Sequence, residues 1–331
     1  MNGPMPLLRL MTCRTGMEME RNKEERLFHC EKIAVLLAAY NGRNFIREQL
    51  DSLLAQTFQE WTLFIHDDGS TDGTPEILSE YAERFPEKIV LIDAPSKGSA
   101  GDNFMFLLNS VDAPYIMFCD QDDVWLPQKI EKTYQRMKEV ENGRPALVFS
   151  DLQIVDQDLK IIAPLMSGYQ KLDMTKHRVE DFLAENVITG CTMMIDRPLA
   201  ELSRKCQDPS QIIVHDWWAA LVAAKFGVIS CIEEPLIKYR QHGENSIGAK
   251  RFGLQYIKER VTHMESIRKR LEATRIQAGH FSSVFDLGAE DVVTQYADIA
   301  EKNKIYRLRF YAENHIRKSG FARNVGLCIW G

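Results

Sequence analysis

The sequence predicts an α/β fold, a doubly wound and mostly parallel sheet flanked by helices, with a helical extension at the carboxyl end. Apolar runs alternate with helical patterns about every 25 to 30 residues, which is typical of strand–helix–strand units. The first run, residues 33–39, is apolar throughout, as in a parallel strand covered on both faces. With 331 residues and 45% hydrophobic content, the chain can bury a sizeable core.

The elements of the first half follow this strand in order. Apolar side chains spaced at i, i+4, i+7 and i+8 predict a helix that ends near Gln56. A later helix is predicted to begin at Thr74 and Pro75, because threonine can cap a helix and proline suits its first turn. The remaining predictions are strands at 61–66, 88–92 and 115–119 and a helix that includes 104–108.

The second half continues the alternation. Its predicted elements are helices at 128–140 and 216–226 and strands at 146–150 and 187–195. The last of these strands is centred on Thr189-Gly190-Cys191, and Gly227 ends the final helix. The chain is thus expected to comprise a loosely ordered leader at 1–31, an α/β domain at 32–249 and a basic, mainly helical extension at 250–331.

Charge is distributed unevenly along the chain. The net charge is −6, of which residues 1–249 carry −12 and residues 250–331 carry +6. This asymmetry favours an extension that faces an anionic surface such as a membrane. An ordinary helical extension with solvated charges explains it as well.

Cysteine spacing and hydropathy indicate the cellular compartment that suits the chain. The seven cysteines include no C-x-x-C pair, which argues against a zinc cage or a disulfide framework and makes a reducing cytoplasm the simplest setting. The leader has too short an apolar core for a signal peptide. No run approaches the roughly 20 apolar residues that cross a bilayer.

Three carboxylates crowd the end of one predicted strand, in Asp120-Gln121-Asp122-Asp123. Carboxylates this close repel one another, and a divalent cation such as Mg²⁺ or Mn²⁺ that also binds phosphate oxygens is the common remedy. A solvated acidic turn is the alternative. However, Tyr40, Asp67 and Asp68 also follow strands, and ligands of such sheets collect at the strands' carboxyl ends. Several segments that place polar groups at one rim favour a binding site.

Five motifs occur in an order and spacing similar to those of inverting family 2 glycosyltransferases. They are Ala39-Tyr40-Asn41-Gly42, the segment from Asp67 to Thr74, Asp120-Gln121-Asp122-Asp123, His215-Asp216-Trp217-Trp218 and Tyr239-Arg240-Gln241-His242. The resemblance covers about 33–247 and implies the GT-A type of α/β fold, with a GT-A domain at 32–249. The acidic motif followed by Val124-Trp125, together with the histidine–aspartate–tryptophan motif, resembles bacterial rhamnosyltransferase-like members that build surface polysaccharides.

The resemblance implies roles for residues on the donor side. Asp68 would accept a hydrogen bond from the pyrimidine base, although capping of the following helix is an alternative role. Tyr40 would lie against the base, and Asn103 would line the nucleoside pocket. Asp120 would contact the ribose or the water shell of the cation. Asp122 would ligate Mn²⁺ or Mg²⁺ and bridge it to the diphosphate.

Further expectations concern the diphosphate. The resemblance implies that Arg240 and His242 close over it, with His242 as an added metal ligand, although a surface role explains both equally well. Asp123 is expected to cap the next turn.

The acceptor side of the cleft must hold a base. Inversion needs a proton acceptor opposite the leaving group, and Asp216 is the candidate, since neighbouring tryptophans could exclude water and raise its pKa. A helix-capping aspartate beside two core tryptophans is the alternative. Thr189, Gly190 and Trp217 are expected to shape the acceptor side.

The predicted function is sugar transfer from a dTDP- or UDP-sugar, with rhamnose as a candidate, to a saccharide or lipid-linked acceptor. No nucleic-acid partner is expected, and the setting is the cytoplasm or the inner face of the plasma membrane. One alternative is a nucleotidyltransferase, but Tyr40-Asn41-Gly42-Arg43 lacks the glycine-rich, basic phosphate loop of such enzymes. Another is a noncatalytic nucleotide-sugar or metal-binding module with a structural acidic cluster.

Overall fold

A computed structural model describes residues 27–243 and 264–331. A nine-stranded sheet forms its centre, in the order β4-β3-β2-β6-β10-β8-β11-β7, with β9 paired to β8. The strands are β2 Ile33–Ala39, β3 Trp61–Asp67, β4 Ile89–Leu91, β6 Tyr115–Asp120, β7 Val124–Trp125, β8 Ala146–Val155, β9 Ile161–Ala163, β10 Met193–Asp196 and β11 Val228–Arg240. A separate parallel pair joins β1 Phe28–His29 to β5 Val111–Asp112. Most of the predicted leader and the start of the predicted extension lie outside the described residues.

The sheet is parallel where the strand–helix rhythm is regular and mixed beyond it. Strands β4, β3, β2 and β6 run parallel, whereas β10 is antiparallel to both β6 and β8. Strand β11 is parallel to β8, and β7 is antiparallel to β11. The predicted α/β class is therefore confirmed, with the reversal at β10 added by the structure.

Helices cover both faces of the sheet. They are α1 Ile46–Leu54, α2 Thr74–Arg84, α3 Ala100–Ser110, α4 Lys129–Val140, α5 Met166–Gln170, α6 Val179–Ala184, α7 Arg197–Ser203, α8 His215–Phe226, α9 Met264–Val284, α10 Val292–Ala297, α11 Lys304–Glu313 and α12 Phe321–Trp330. Alternate residues of β2 enter two different cores: Ala34 and Leu36 face one, and Val35 and Leu37 face the other. This accounts for the uninterrupted apolar run of that strand.

The predicted strand at 187–195 is wrong in its position. Residues Gly190–Thr192 form a single 3₁₀ turn, and the strand is Met193–Asp196. The reason is local hydrogen bonding, since the Thr189 carbonyl accepts from both the backbone N–H and the hydroxyl of Thr192. These groups are then not available to a sheet ladder.

Two predicted caps are also wrong. Helix α2 begins at Thr74 and is preceded by Gly73 with φ of 91°, a left-handed conformation that favours glycine. The Thr74 hydroxyl instead accepts from the Gly42 N–H at 2.9 Å and donates to Asp72 at 2.6 Å. The Asp123 carboxylate accepts from the Arg240 N–H at 3.1 Å, and it therefore joins two distant segments rather than capping the next turn.

The helices of the extension share a core with the sheet domain. On α9, Phe281 packs against Trp218 and Phe226 of α8, with ring centroids 5.3 and 6.1 Å apart. A buried ion pair, Lys176 to Glu185 at 3.0 Å, adds polar contacts, because Glu185 also accepts from the N–H and hydroxyl of Ser319, both at 2.6 Å. The extension is thus held by apolar packing and by a charged clamp.

Among the residues described, no helix combines the length and the hydropathy that a membrane crossing requires.

Candidate active site

The carboxyl ends of three parallel strands place the predicted donor residues along one rim. Strand β2 lies between β3 and β6, with Ala39 paired to Asp67 and Ala38 paired to Asp120. Tyr40 follows β2 directly and is 57% exposed. The strand register therefore brings together residues that are far apart in sequence.

Gln121 fixes the rim at Tyr40, a contact that the sequence analysis missed. Its side-chain amide donates to the Tyr40 carbonyl at 2.7 Å, and its side-chain oxygen accepts from the Tyr40 N–H at 2.8 Å. The same side chain explains Gly42, where a Cβ atom would lie 2.2 Å from the Gln121 oxygen. Any larger residue at position 42 would displace this clamp.

Asp68 and Asn103 lie behind the surface of the cleft. The Asp68 carboxylate accepts from the backbone N–H groups of Lys97 and Gly98, the latter at 3.0 Å, and so holds the loop that contains these two residues. Asn103 is 1% exposed; its side-chain oxygen accepts from the His66 ring Nδ1–H at 2.8 Å, and its side-chain amide donates to the His66 carbonyl at 3.2 Å. Asn103 therefore supports the wall of the cleft from inside. Asp68 does not cap α2, whose N-cap is Gly73.

Arg240 lies beneath the acidic cluster, on the side of the protein interior, and does not cover it from the solvent side. Arg240 is 2% exposed, and its guanidinium donates to the Asp122 carbonyl at 2.8 Å and to the Gln157 carbonyl at 2.5 Å. It also pairs with Glu48 at 2.5 Å and lies over the Phe45 ring. The structure thus places Arg240 beneath the cluster and not at the cleft surface.

His242 does reach the cluster. Its Nε2 lies 2.8 Å from a carboxylate oxygen of Asp122, and both side chains are largely buried. An imidazole nitrogen and a carboxylate oxygen side by side form a ligand pair that Mn²⁺ accepts.

Burial and mutual repulsion raise the pKa of two carboxyl groups in the cluster. Burial and the charge of Asp122 raise the pKa of Asp120 to about 7. Burial, with Asp122 and Asp120 nearby, also raises the pKa of Asp123 well above its usual value. The buried Asp123 Oδ2 has no hydrogen-bond partner within 27–243 and 264–331. A divalent cation would satisfy these carboxylates, so the residues present fit such an ion.

The ligand chemistry favours a hard cation. Ligand atoms of Asp120, Asp123 and Cys191 lie within 4.8 Å of one another. Burial raises the pKa of the Cys191 thiol well above its usual value, which keeps it neutral and a poor ligand. Oxygen and nitrogen ligands suit Mg²⁺ and Mn²⁺, so Asp120 and Asp123 in this group and the neighbouring pair Asp122 and His242 have the matching chemistry.

Lys129 is a second residue that the sequence analysis missed. Its ammonium is fully buried, lies 4.3 Å from the Trp125 ring and has no hydrogen-bond partner in the described ranges. Burial lowers its pKa to about 8, and the nearby Asp123 opposes this shift. Lys129 lies in a segment with the pattern of an amphipathic helix. That pattern does not reveal that its side chain faces the acidic cluster instead of solvent.

Asp216 lies in the first turn of α8 and its side chain is partly exposed. One carboxylate oxygen accepts from the Gly190 N–H at 2.9 Å, and the other accepts from the Asn186 side-chain amide at 2.9 Å. Burial raises its pKa to about 7, and the hydrogen bonds oppose that rise. The N-cap of α8 is Val214, so Asp216 does not serve as the helix cap.

The neighbours of Asp216 divide into two groups. Gly190, which follows Thr189, lies beside the carboxylate, and it has no room for a Cβ atom, which would lie 2.6 Å from a ring nitrogen of His215. Trp217 and Trp218 are 1% and 0% exposed and donate their indole N–H groups to the Phe182 and Ser203 carbonyls. The structure therefore places Trp217 in the core, away from the acceptor side, and the core tryptophans supply the apolar surroundings.

The two parts of the site influence each other electrostatically. Burial and the charge of Asp122 are the larger causes of the raised pKa of Asp120, and the charge of Asp216 adds to it. An acidic rim whose residues fit a cation and a separate carboxylate with a raised pKa are features of a group-transfer active site.

Residues 34–202 match the family model for glycosyl transferase family 2, a range that covers half of the chain. The chain belongs to this family. It is 32% identical over 225 residues to the dTDP-rhamnosyl transferase RfbG of Shigella flexneri, which covers 64% of this chain and 74% of that protein. It is 29% identical over 208 residues to the putative teichuronic acid biosynthesis glycosyltransferase TuaG of Bacillus subtilis strain 168, covering 61% and 77% of the two chains.

A solved structure supports the fold. The mannosyltransferase PcManGT from Pyrobaculum calidifontis, in complex with GDP-Man and Mn²⁺, matches with a TM-score of 0.51 and 14% identity. The match covers 86% of this chain and 73% of that one. The GT-A prediction for the fold is thereby confirmed.

Proposed function

We propose that the enzyme transfers one sugar, with rhamnose as the candidate, from a dTDP- or UDP-sugar to a saccharide or lipid-linked acceptor with inversion, in the synthesis of a surface polysaccharide. The observation that carries this proposal is the position of Asp216, a partly exposed residue whose carboxylate has a raised pKa and feels the charge of the acidic rim at Asp120. The likeness to a protein named dTDP-rhamnosyl transferase supports the choice of sugar and nucleotide.

On the donor side, Asp122 and His242 would hold Mn²⁺ or Mg²⁺, with Asp120 at its water shell or at the ribose. When bound, such a cation neutralises the charge that develops on the nucleoside diphosphate as it leaves. Tyr40 would lie against the base, in the loop that Gln121 fixes. The Asp68 carboxylate orders the opposite loop through two backbone N–H groups.

On the acceptor side, Asp216 would remove the proton of the attacking hydroxyl. Each carboxylate oxygen has two lone pairs, so one remains on each after the hydrogen bonds to Gly190 and Asn186. The hydroxyl oxygen forms a bond to the anomeric carbon, the bond to the diphosphate breaks, and the proton goes to Asp216. A single displacement of this kind inverts the anomeric centre. A pKa near 7 suits a base at neutral pH.

The same proposal assigns the segments and the setting. Residues 32–249 form the GT-A domain, residues 250–331 form a basic extension that contacts the inner face of the plasma membrane, and residues 1–31 form a leader. The net charge of +6 on the extension supports contact with anionic lipid. The six free cysteines among the described residues support a reducing, cytoplasmic setting.

A panel of dTDP-, UDP- and GDP-sugars, each with and without Mn²⁺, tests the proposal. We expect one class of donor to raise the melting temperature with Mn²⁺ and to be hydrolysed slowly without acceptor, since a ligand that prefers the folded state stabilises it. Stabilisation by a sugar nucleotide with no turnover across many acceptors would instead identify a noncatalytic binding module. NMR of the product's anomeric proton then reports the stereochemistry.

A further inference from the structure

We infer that helices α11 and α12 dock on an anionic bilayer through one defined surface, the apolar face. Its members are Ile305, Leu308, Phe321, Val325 and Ile329, which are 81%, 38%, 84%, 39% and 54% exposed. Large apolar side chains exposed singly are ordinary, but a group of them in 25 residues of chain indicates an interaction surface. The inference deepens the membrane contact proposed above by naming the residues that enter the lipid.

The helical spacing places these side chains on common sides of their helices. Phe321, Val325 and Ile329 are spaced at i, i+4 and i+8 on α12, and Ile305 and Leu308 at i and i+3 on α11. Residues three and four apart are neighbours on a helix surface, so each helix carries an apolar stripe that faces solvent.

Contacts between the two helices bring one end of each stripe together. The Lys304 ammonium donates to the Ile329 carbonyl at 2.6 Å, which brings the start of α11 to the end of α12. Tyr311 and Leu327 are 5% and 3% exposed, and both lie within contact distance of Gly331. The helices therefore pack through their buried sides, and the apolar face is left outside.

The charge around the apolar face identifies the partner. Residues 302–331 contain seven lysines and arginines and one acidic residue, Glu313. Arg323 is bound to backbone carbonyls of the protein and Arg309 pairs with Glu313 at 2.6 Å, whereas Lys302 and Arg317 are exposed. Long cationic side chains beside exposed apolar ones suit the headgroups of an anionic bilayer, whereas the core of a protein–protein interface is depleted in lysine. Each helix has ten residues and is about 15 Å long, about half the thickness of the hydrocarbon layer, so it would lie in the interface and not cross it.

The apolar face is firmly connected to the active site. Next to α12, Ser319 donates to Glu185, and Arg323 of α12 donates to the Gln170 carbonyl at 2.6 Å. Glu185 precedes Asn186, the residue that holds Asp216. Docking of α11 and α12 would therefore fix the orientation of the cleft relative to the bilayer.

Co-sedimentation of the full chain with vesicles tests the inference. Vesicles of mixed phosphatidylglycerol and phosphatidylcholine are compared with vesicles of phosphatidylcholine alone, at low and at high salt. We expect binding to the anionic vesicles that weakens with salt. The double variant Phe321→Ser/Ile329→Ser should lose at least about tenfold in partitioning, because two large apolar side chains no longer enter the lipid.

Matched variants distinguish the contribution of the apolar face from the general effect of removing exposed apolar or charged side chains. Ile161→Ser/Ile162→Ser removes two isoleucines that are 62% and 48% exposed on β9, and it should bind as the wild type does. Lys302→Gln should lose about fivefold on anionic vesicles, as expected for one charge near the headgroups, while the exposed Lys160→Gln should lose nothing. Far-UV circular dichroism and melting temperatures establish that each variant is folded.

Three results would overturn the inference, and they are distinguishable. If the wild type does not bind anionic vesicles at low salt, the proposed membrane contact itself is wrong. If Phe321→Ser/Ile329→Ser binds as the wild type does, contact is electrostatic and the apolar face plays no part in it. If light scattering shows a wild-type dimer that this variant converts to a monomer without change in vesicle binding, the face joins two copies of the chain. Donor hydrolysis, measured without vesicles, tests the catalytic proposal separately.

Discussion

Replacing Asp216 by asparagine is the sharpest test of the active site. The substitution preserves size and removes the proton acceptor. Gly190 and Asn186 both donate to Asp216, one to each oxygen. An amide presents one oxygen and one NH₂ group, so it can satisfy only one of these donors. The variant loses the base together with one hydrogen bond, and the cleft is otherwise preserved.

The expected loss of activity follows from the role of Asp216 as a general base. Loss of a positioned general base lowers the rate of transfer by about a hundredfold to ten-thousandfold. The wild type should also show a rising pH profile, because the active form of Asp216 is ionised and its pKa is about 7. One pH unit below this midpoint only about a tenth of the enzyme is active, and well above it the rate is constant.

The substitution Asp216→Asn should lower the activity without lowering the stability of the fold. The pKa of Asp216 is raised in the folded state, so its ionisation destabilises the fold; this cost begins above the unfolded value of about 3.9 and is complete above about pH 7. Asparagine carries no charge to desolvate, which offsets the lost hydrogen bond of about 1 kcal/mol. We therefore expect Asp216→Asn to melt at or above the wild-type temperature at pH 8.

The assay is the initial rate of sugar transfer from about pH 5 to about pH 9, with donor binding measured by calorimetry. Asp158→Asn, an exposed aspartate changed in the same way, is the control and should leave the profile intact. Wild-type turnover in Asp216→Asn, or a wild-type profile without a rise near pH 7, would refute the assignment of the base.

Four further perturbations test other parts of the structure. Asp122→Ala should abolish both transfer and its stimulation by Mn²⁺, measured as rate against metal concentration. Asn186→Ala should slow transfer about tenfold and move the pH midpoint upward, because a hydrogen bond to the ionised form of Asp216 is lost. Lys129→Met should remove a rise in unfolding free energy of about 3 kcal/mol between about pH 8 and 10.5, where the unfolded wild type binds the extra proton. Glu185→Gln should lower the free energy of unfolding in urea by about 1–3 kcal/mol, because Lys176 loses its buried partner.

Each of these expectations has a contradicting result. Retained Mn²⁺ stimulation in Asp122→Ala would place the cation elsewhere. An unmoved pH midpoint in Asn186→Ala would reduce that residue to a loop contact. Equal pH dependence of stability in Lys129→Met and the wild type would mean that the ammonium does not titrate there. For Glu185→Gln, the exposed Glu139→Gln is the control. Equal free energies of unfolding of the two variants would contradict a stabilising role of the Lys176–Glu185 ion pair.

Most strands and helices, and the rim of the site, could be predicted from the amino-acid sequence. An apolar run such as 33–39 has one stable environment, between two layers, and strand ends in parallel units meet at one edge. The positions of Tyr40, Asp67 and Asp120 at that edge were therefore predictable. So was the repulsion among the carboxylates of the acidic motif, because close carboxylates repel wherever they are buried.

Only the tertiary structure decided which side chains face the cleft. Arg240 and Asn103 are polar and belong to suggestive segments, yet both are buried and hold backbone groups. Conversely, Asn186 and Lys129 lie in unremarkable segments and reach the two halves of the site. These contacts join residues separated by 30 to 118 positions, for example Asn186 to Asp216 and Arg240 to Asp122.

The physical reason is the range of the interactions. Local propensity and hydrophobic period act over a few residues and fix helices, strands and their buried sides. The orientation of a polar side chain depends instead on donors and acceptors that other segments bring to it, and on how much water remains around it. Asp216 illustrates both, since its place on a helix follows from the sequence, whereas its raised pKa and its two hydrogen bonds arise only when the chain has folded.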